Sequence, residues 1–371
     1  MLDRSARLLL GLIKQNGNEI CADCGMSDPQ WTSSNLGIFI CENCASIHRS
    51  LGSSISRVKS IKLDNWDETQ LQVMESEGNL RSKEKYEQCV PSCYKRPTAK
   101  DPQILREQWI RAKYERLEFQ NPDKQTYLAS RREGYLWKKG RDDKKFQKRR
   151  FVLDTTENVL KYYVKDDAKE PKAILRIDDI NVALVPDKIG NPNAMQILYS
   201  QDGHTRNIFV YGEDGKESVD WYTAIRAAKL ARLAIAYPGT TEQELCQNLT
   251  RDFLNEGWLS KTGPKANDAY RKRWFTLDGR RLMYYEDPVD PFPKGEILIG
   301  TTDKGFSVFD DITQAGKNPG FVFTLRTPNR SFHLAAEAEQ DKDKWVVVLK
   351  SVIESPLSVQ ESSSMFRGLI K

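Results

Sequence analysis

The sequence predicts a multidomain α+β protein. A cysteine-rich, mostly helical N-terminal block precedes two β-rich domains of one type, each closed by a C-terminal helix. Three observations predict this fold class. The chain has 371 residues, which at roughly 150 residues per domain corresponds to two or three domains. Four of its seven cysteines are clustered near the N-terminus. Beyond them a pattern of about 100 residues occurs twice, and that length is the size of a domain.

Composition and charge exclude several classes of protein. Hydrophobic residues make up 39% of the chain, which is enough for packed cores, so disorder is not the dominant state. The formal net charge of +5 is too small to require a nucleic-acid partner. The apolar run near the N-terminus is far shorter than a membrane span, and no secretory signal is visible. Clustered cysteines fit metal ligation in a reducing compartment, which predicts a cytoplasmic protein.

The chain divides into segments at changes of pattern. A helical pattern from Gln103 to Phe119 closes the N-terminal block, and a polar stretch follows it. The predicted segments are the N-terminal domain 1–120, a linker 121–132, the first repeat 133–234, a connection 235–253, the second repeat 254–354 and a flexible tail 355–371.

The repeat is recognised from landmarks in matching order. Each copy starts with Gly-aromatic-Leu-x-Lys, and seventeen residues after the glycine an aromatic follows basic residues. A Leu-x-Tyr-Tyr segment and a tryptophan complete the pattern; the landmarks are Gly134, Phe151, Tyr163 and Trp221 in the first copy and Gly257, Trp274, Tyr285 and Trp345 in the second. Short apolar runs between turn residues, and then apolar residues at helical spacing, predict an antiparallel β-rich body closed by a helix.

The four clustered cysteines form the pattern C-x2-C-x16-C-x2-C, with the residues Cys21, Cys24, Cys41 and Cys44. Two CxxC pairs place four thiolates where one tetrahedral Zn²⁺ can bind all of them. A four-sulfur shell leaves no open position for water, so we predict one structural zinc ion and no hydrolytic centre. A set of buried free cysteines is the alternative interpretation.

The residues around the last cysteine carry a family resemblance. Cys44-Ala-Ser-Ile-His-Arg49 extends the pattern to C-x2-C-x16-C-x2-C-x4-R, and Trp31 lies between the cysteine pairs. With Asp64 of a Leu-Asp pair, these features resemble the ArfGAP zinc-finger domain over most of residues 7–120. The resemblance implies a mostly helical fold with a small sheet. The resemblance implies that Arg49 is a catalytic arginine finger, supported by Trp31 and Asp64. Such a finger sets a planar, permanently charged guanidinium against phosphoryl oxygens during GTP hydrolysis.

The nucleotide is expected on a partner protein. The sequence contains no G-x-x-x-x-G-K-[ST] motif and no credible G-x-G-x-x-G motif. We therefore predict an activator of a GTPase, and the resemblance implies that its partner is an Arf-family GTPase in the GTP form.

The two repeats resemble pleckstrin-homology (PH) domains, which implies PH-type β-barrels capped by a helix. In that family a first-strand lysine, basic residues of the second strand and a later tyrosine line a pocket for an inositol phosphate headgroup. Carried over, these residues are Lys138, Lys148, Arg150 and Tyr162 in the first repeat and Lys261, Arg271, Arg273 and Tyr284 in the second. Arg149 is an added basic residue whose direction alternation alone does not settle. The net charges of residues 138–150 and 261–273, +6 and +4, favour phosphate binding.

Together the three blocks resemble the centaurin-alpha family, the ArfGAPs with dual PH domains. The resemblance implies an Arf GTPase activator that polyphosphoinositides recruit peripherally to the plasma membrane. The expected ligands are phosphatidylinositol 3,4,5-trisphosphate, then the 4,5-bisphosphate, or soluble inositol polyphosphates. A non-catalytic, phosphoinositide-dependent scaffold is the main alternative. A nucleic-acid finger is disfavoured because the basic runs flank the expected lipid pockets and not the zinc block.

Overall fold

The N-terminal block is helical around a small antiparallel sheet. The computed structural model describes residues 4–201, 204–247, 249–263, 268–310 and 320–357. Its first elements are α1 (Arg4–Ile13), β1 (Trp31–Ser33), β2 (Ile38–Ile40), α2 (Glu42–Ser50), β3 (Val58–Ser60), α3 (Glu68–Ser76), α4 (Asn79–Tyr86) and α5 (Gln103–Ile110). The strands are arranged in the order β2-β1-β3. The helix expected over 103–119 ends at Ile110 and continues as one π-helical turn, Arg111–Glu115.

Each repeat is a seven-stranded antiparallel sheet followed by a helix. The first repeat contains β4 (Arg131–Lys139), β5 (Phe146–Asp154), β6 (Val159–Tyr163), β7 (Ala173–Arg176), β8 (Ile180–Leu184), α6 (Pro186–Ile189), β9 (Ala194–Gln201), β10 (His204–Tyr211) and α7 (Gly215–Ala236). After the short α8 (Glu242–Cys246), the second repeat contains β11 (Asn255–Lys261), β12 (Arg271–Asp278), β13 (Arg281–Tyr285), β14 (Gly295–Leu298), β15 (Ser307–Asp310), β16 (Phe321–Arg326), β17 (Ser331–Ala336) and α9 (Glu339–Glu354).

The predicted fold class is confirmed, with one refinement. The strand order is β7-β6-β5-β4-β10-β9-β8 in the first repeat and β14-β13-β12-β11-β17-β16-β15 in the second. In the described part of the chain the two end strands of each sheet are not paired with each other. Each repeat is therefore an open, sandwich-like sheet and not a closed barrel. The expected tail, residues 355–371, lies outside the described residues from 358 onward.

The terminal helices close the sheets with their apolar faces. Trp221, Ile225 and Ala228 of α7 are buried, as are Trp345 and Leu349 of α9. At the start of α7, the side chain of Asp214 accepts a hydrogen bond from the backbone N–H of Glu217 at 2.7 Å. This bond satisfies one of the free N–H groups of the first turn and fixes where the helix begins.

The N-terminal block and the first repeat share one hydrophobic core. A single cluster of buried side chains runs from the clustered cysteines through Trp109 of α5 to Trp221 of α7. The segment expected to be a linker takes part in it, because Tyr127 is 1% exposed and its ring lies 5.6 Å from that of Tyr94. Arg226 of α7 is buried and donates from Nε to the backbone oxygen of Cys93 at 2.7 Å. These two parts of the chain therefore pack as one unit.

The second repeat has its own core and a largely polar contact with the first. Nη1 of Arg281 in β13 donates to the hydroxyl oxygens of Thr205 and Ser200 of the first repeat, at 2.7 and 3.0 Å. A small apolar cluster of Leu198, Met283 and Tyr285 also joins the two repeats. In the described residues, no helix combines the length and the apolar character that a membrane crossing requires.

Candidate functional sites

The four clustered cysteines converge on one point. Their Sγ atoms all lie within 4.8 Å of one another and all four residues are buried. The Sγ atoms of Cys24 and Cys41 are 3.6 Å apart. Four thiolates around a tetrahedral zinc ion, with Zn–S bonds of about 2.3 Å, would be separated by about 3.8 Å. The cluster therefore fits a single tetrahedral metal ion with no open coordination position.

Local backbone structure brings the two cysteine pairs together. After the first pair, the chain reverses at Gly25, whose φ of +69° is a conformation that side chains with a Cβ rarely adopt. The N–H of Gly25 donates to the Cys21 carbonyl at 3.0 Å, which closes the turn. The second pair spans the start of α2, because Cys41 precedes its first residue and Cys44 lies in its first turn. A metal ion bound here would hold the N-terminal end of α2.

A buried polar network holds the other end of α2. His48 is fully buried, and its Nε2–H donates to Oδ2 of Asp23, between the first two cysteines, at 2.9 Å. Its Nδ1 lies 2.9 Å from Oγ of Ser56. Burial alone would raise the pKa of Asp23, but the charge of Lys113 and the His48 hydrogen bond lower it below its ordinary value. Asp23 is therefore an anion that ties α2 to the cysteine turn.

Arg49 projects from the last turn of this fixed helix. Its side chain is exposed, and its Cζ lies 4.4 Å from the centroid of the Trp31 ring. A guanidinium over an indole face is attracted by the ring quadrupole and loses part of its rotational freedom. The charge is thus held near the surface and not paired with a carboxylate in the described residues.

Asp64 supports the Arg49–Trp31 pair through the backbone of β3. Its Oδ2 accepts a hydrogen bond from the backbone N–H of Ser60 at 2.6 Å. Ser60 lies opposite Trp31 in the β1–β3 pair. Asp64 therefore fixes the end of β3 beside the strand that carries Trp31, and it supports the position of that ring through the sheet.

One face of the first repeat gathers cationic groups. Arg149 lies opposite the buried Leu136, and Tyr162 lies opposite the buried Phe151, so both share the inner face with Lys138. The Nζ of Lys138 is 5.1 Å from the centroid of the Tyr162 ring. Burial, and then the neighbouring charges of Arg206 and Arg149, lower the pKa of Lys138 to about 8.

The structure places Lys148 and Arg150 on the opposite, outer face. Lys148 lies opposite Trp137, and Arg150 lies opposite the exposed Tyr135. The guanidinium of Arg150 packs 4.1 Å above the Tyr163 ring and donates to Oε1 of Glu133 at 3.0 Å. The residue set expected for the first repeat is thus divided between two faces, and Arg149 takes the inner position.

The residues expected in the first pocket are divided between two faces because the sequence motifs align the repeats one residue away from their structural correspondence. Gly134 lies opposite Phe151, whereas Gly257 lies opposite Phe275, so the counterpart of Phe151 is Phe275 and not Trp274. The connection between the first two strands is one residue longer in the second repeat. A one-residue shift moves a side chain to the other face of a sheet. The structural counterpart of Arg273 is therefore Arg149.

The second repeat keeps all four expected residues on one face. Arg271 lies opposite Lys261, Arg273 opposite the buried Leu259, and Tyr284 opposite the buried Phe275. The Nζ of Lys261 is 4.8 Å from the centroid of the Tyr284 ring. Burial, followed by the charges of Arg330, Arg273 and Arg271, lowers the pKa of Lys261. The Lys–Tyr pair of the first repeat thus recurs in the second.

Comparison with known proteins identifies the blocks. Residues 6–123 match the family model described as "Putative GTPase activating protein for Arf", and residues 130–230 and 254–354 each match the PH domain model. The chain is 46% identical over 362 residues to human Arf-GAP with dual PH domain-containing protein 2, covering 96% of this chain and 95% of that protein. The chain belongs to the dual-PH Arf-GAP family. The predicted architecture is confirmed.

Further relatives match nearly the whole chain or about a third of it. The mouse protein of the same name is 45% identical over 362 residues, with the same coverage of both chains. An Arabidopsis thaliana protein named ADP-ribosylation factor GTPase-activating protein AGD12 is 42% identical over 117 residues, which is 31% of this chain and 35% of that one. The first repeat is hereafter the first PH domain, the second repeat is the second PH domain, and residues 6–123 are the ArfGAP domain.

Each PH domain contains an arginine near the cationic face that the motif did not include. Val210 lies opposite Lys138, and Leu334 lies opposite Lys261, in the last strands of the two sheets. Arg206 and Arg330 come four residues before these positions, and each lowers the pKa of its domain's first-strand lysine. The signal is present in the sequence, since the two arginines coincide once the repeats are aligned through Phe151 and Phe275.

Proposed function

We propose that this protein stimulates GTP hydrolysis by an Arf-family GTPase in its GTP form and that Arg49 is the arginine finger. The observation that carries the proposal is the exposed Arg49 guanidinium, stacked on Trp31 at the end of a helix that the buried His48–Asp23 hydrogen bond ties to the cysteine turn. One structural Zn²⁺ on the four cysteines would complete the clamp at the start of α2. Its role would be to fix the helix, since four sulfur ligands leave it no position for substrate.

An oriented, exposed guanidinium such as that of Arg49 is suited to stabilising charge on phosphoryl oxygens. In GTP hydrolysis negative charge shifts over the phosphoryl oxygens, and a guanidinium supplied by a partner protein stabilises it. The contribution is largest when the cation is already oriented before the complex forms. The ring of Trp31 restricts the guanidinium in the free protein, so little ordering remains to be done on binding.

The experiment that tests the activity measures GTP hydrolysis by Arf bound to phosphoinositide vesicles, with and without this protein. Strong stimulation supports the proposal. Vesicle and Arf binding without any stimulation would instead favour the scaffold in which the zinc domain only docks partners.

We further propose that both PH domains bind polyphosphorylated inositol headgroups and bring the ArfGAP domain to the plasma membrane. The residues assigned to the pockets are Lys138, Arg149, Tyr162 and Arg206 in the first domain and Lys261, Arg271, Arg273, Tyr284 and Arg330 in the second. Several cations on the inner face of one sheet suit phosphatidylinositol 3,4,5-trisphosphate, with the 4,5-bisphosphate or soluble inositol polyphosphates as further ligands. Two sites on one chain make the second binding step intramolecular on a vesicle.

Two adjacent arginines of β5 provide a matched test of the first pocket. We expect Arg149→Ala to reduce binding to trisphosphate vesicles by about tenfold or more, because a charge-assisted phosphate contact contributes about 1.5–3 kcal/mol. Arg150→Ala, on the outer face, should leave headgroup binding within about twofold, since exposed ion pairs contribute little. The measurement is vesicle co-sedimentation in an Arg273→Ala background, which silences the second pocket. The reverse order of effects would contradict the assignment of the inner face.

The pKa of Lys138 predicts a dependence on pH. With a pKa of about 8, Lys138 loses its proton as the pH rises from 7 to 9, and phosphate binding favours the charged form. We therefore expect the affinity of the first pocket for inositol 1,3,4,5-tetrakisphosphate to fall over this range and binding to take up protons. The measurement is calorimetry in buffers of different ionisation enthalpy. Lys138→Arg, which stays charged, should lose this dependence while any titration of the phosphates remains; an unchanged pH profile in that variant would exclude Lys138 as its source.

A further inference from the structure

The pocket of the first PH domain lies against the second PH domain. Strands β4 and β10 pair only at their Trp137–Tyr211 and Lys138–Val210 positions, so a cleft opens where they diverge. The walls of this interdomain cleft include Lys138, Arg141 and Arg206 of the first domain and Val289 and Pro291 of the second. A group bound in the cleft would therefore be surrounded by both domains.

Arg206 is held by the second domain through the residues on either side of it. The backbone N–H of Thr205 donates to Oε1 of Glu296 at 3.2 Å, and that of Asn207 donates to the Pro291 carbonyl at 2.8 Å. Thr205 and Asn207 are 1% and 3% exposed, so these bonds are shielded from water. The backbone at Arg206 is thus positioned by the other domain as well as by its own sheet.

The side chain of Arg206 also contacts the second domain. Its Cζ lies 5.6 Å from the centroid of the Phe292 ring. Its Nη1 and Nη2 donate to the hydroxyl oxygens of Tyr199 and Tyr162 at 3.3 and 3.5 Å. In the described part of the chain no carboxylate lies within ion-pair distance of Arg206 or of Lys138. The two cations share one site and are available for an anion.

The loop that carries Phe292 is preformed. Oδ2 of Asp290 accepts from the N–H of Asp287, and Oδ1 of Asp287 accepts from the N–H of Val289, both at 3.0 Å. Such side-chain turns restrict the loop before any ligand arrives. Phe292 is therefore presented to Arg206 by a structured segment of the second domain.

We propose that the second PH domain completes the polyphosphate site of the first by holding Arg206 beside Lys138, with Phe292 as the positioning residue. The inference rests on the proposed headgroup binding of the first PH domain and deepens it. The ligand is an inositol ring that carries several phosphates, free or as a lipid headgroup. The second domain then raises affinity at the first pocket while its own pocket is empty, by preorganisation and not by bivalent binding.

The test measures binding of inositol 1,3,4,5-tetrakisphosphate to the full chain by calorimetry. The chain carries Arg273→Ala, so that the binding measured is that of the first pocket alone. Phe292→Ala should weaken binding by about fivefold, as expected for loss of a cation–π contact that orders the arginine. Arg206→Ala should weaken it at least as much, and adding Phe292→Ala to Arg206→Ala should have no further effect. Phe292→Tyr keeps the ring and should retain the affinity.

Phe309 provides the matched control for Phe292. It is a second-domain phenylalanine of similar exposure, 38% against 43%, and its ring also lies under an arginine, Arg326. Phe309→Ala should leave the binding of the probe unchanged. A second arm measures co-sedimentation with phosphatidylcholine vesicles that contain phosphatidylinositol 3,4,5-trisphosphate, and Phe292→Ala should weaken both arms. A loss confined to vesicles would assign Phe292 to direct membrane contact and overturn its positioning role.

The experiment distinguishes headgroup binding by the first pocket from the positioning of Arg206 by Phe292. If the Arg273→Ala chain binds no probe, the first pocket is not a headgroup site and both fall. If it binds the probe and Phe292→Ala does not weaken it, only the inference is overturned. Equal losses of affinity in Phe292→Ala and Phe309→Ala would likewise reject a specific role of Phe292 through Arg206. Additive losses of affinity in the variant that combines Arg206→Ala with Phe292→Ala would reject it as well.

Discussion

Arg49→Lys is expected to lower the stimulated rate of GTP hydrolysis by Arf by about 10³-fold, the low end of the range for loss of an arginine finger. Lysine keeps the positive charge but has no planar fork of donors, and its ammonium cannot cover two phosphoryl oxygens in the same way. The structure adds that the guanidinium lies over Trp31. Trp31→Ala should therefore lose part of the stimulation while Arg49 is still present. The measurement is single-turnover hydrolysis on vesicle-bound Arf.

The control for Arg49→Lys is Arg81→Lys, a change of an exposed arginine on α4 of the same domain. It should leave the stimulation unchanged, and both variants should keep the zinc content and the thermal unfolding of the parent protein. A fully active Arg49→Lys protein would remove the arginine finger and leave the ArfGAP domain as a docking module.

Cys41→Ala is expected to unfold the ArfGAP domain and to destabilise the first PH domain with it. Structural zinc in small domains contributes about 10 kcal/mol or more of folding free energy, comparable with the whole stability of a typical domain, about 5–15 kcal/mol. The first PH domain is affected because Trp109 and Trp221 belong to one hydrophobic cluster. The second PH domain has a separate core and should survive. Limited proteolysis with mass spectrometry should leave a resistant fragment that contains residues 254–354.

The exposed Cys89 is the matched control, because Cys89→Ala removes a thiol of the same domain outside the cluster. That variant should keep one zinc ion per chain and the parent proteolysis pattern. A metal-free protein with a folded ArfGAP domain would contradict the structural zinc. Survival of the first PH domain after the ArfGAP domain unfolds would show that the shared core does not couple their stabilities.

The features that the sequence predicted correctly depend on local pattern. The paired cysteines are separated by fixed spacings, and the apolar residues of the terminal helices recur at the period of a helix, so both can be recognised without knowing what they pack against. The position of Arg49 follows in the same way, since it lies five residues after Cys44, which is in the first turn of α2. The helix expected over 103–119 was less accurate, because its last part contains a π-turn that the periodicity does not distinguish from an α-helix.

The pocket of the first PH domain shows where local pattern is insufficient. Successive side chains of a strand point to opposite faces, so Arg149 must point away from the face of β5 that carries Lys148 and Arg150. This rule does not tell which of the two faces is inside. That choice depends on the partner strand, where Leu136 lies opposite Arg149. Aligning the repeats on Phe151 and Trp274 selected the wrong counterpart, because in the second repeat the true position, Phe275, directly follows another aromatic residue, Trp274. Arg206 was missed for the same reason.

By itself, therefore, the sequence determined the family, the order of three domains, the four-cysteine cluster and the arginine beside it. Only the tertiary structure decided which basic residues of β5 lie on the inner face, that the ArfGAP domain and the first PH domain share a core, and that Arg206 is held by the second PH domain. The physical reason is the range of the interactions. Spacing and periodicity are properties of neighbouring residues, whereas strand register and domain contacts join residues far apart in the chain, such as Asn207 and Pro291.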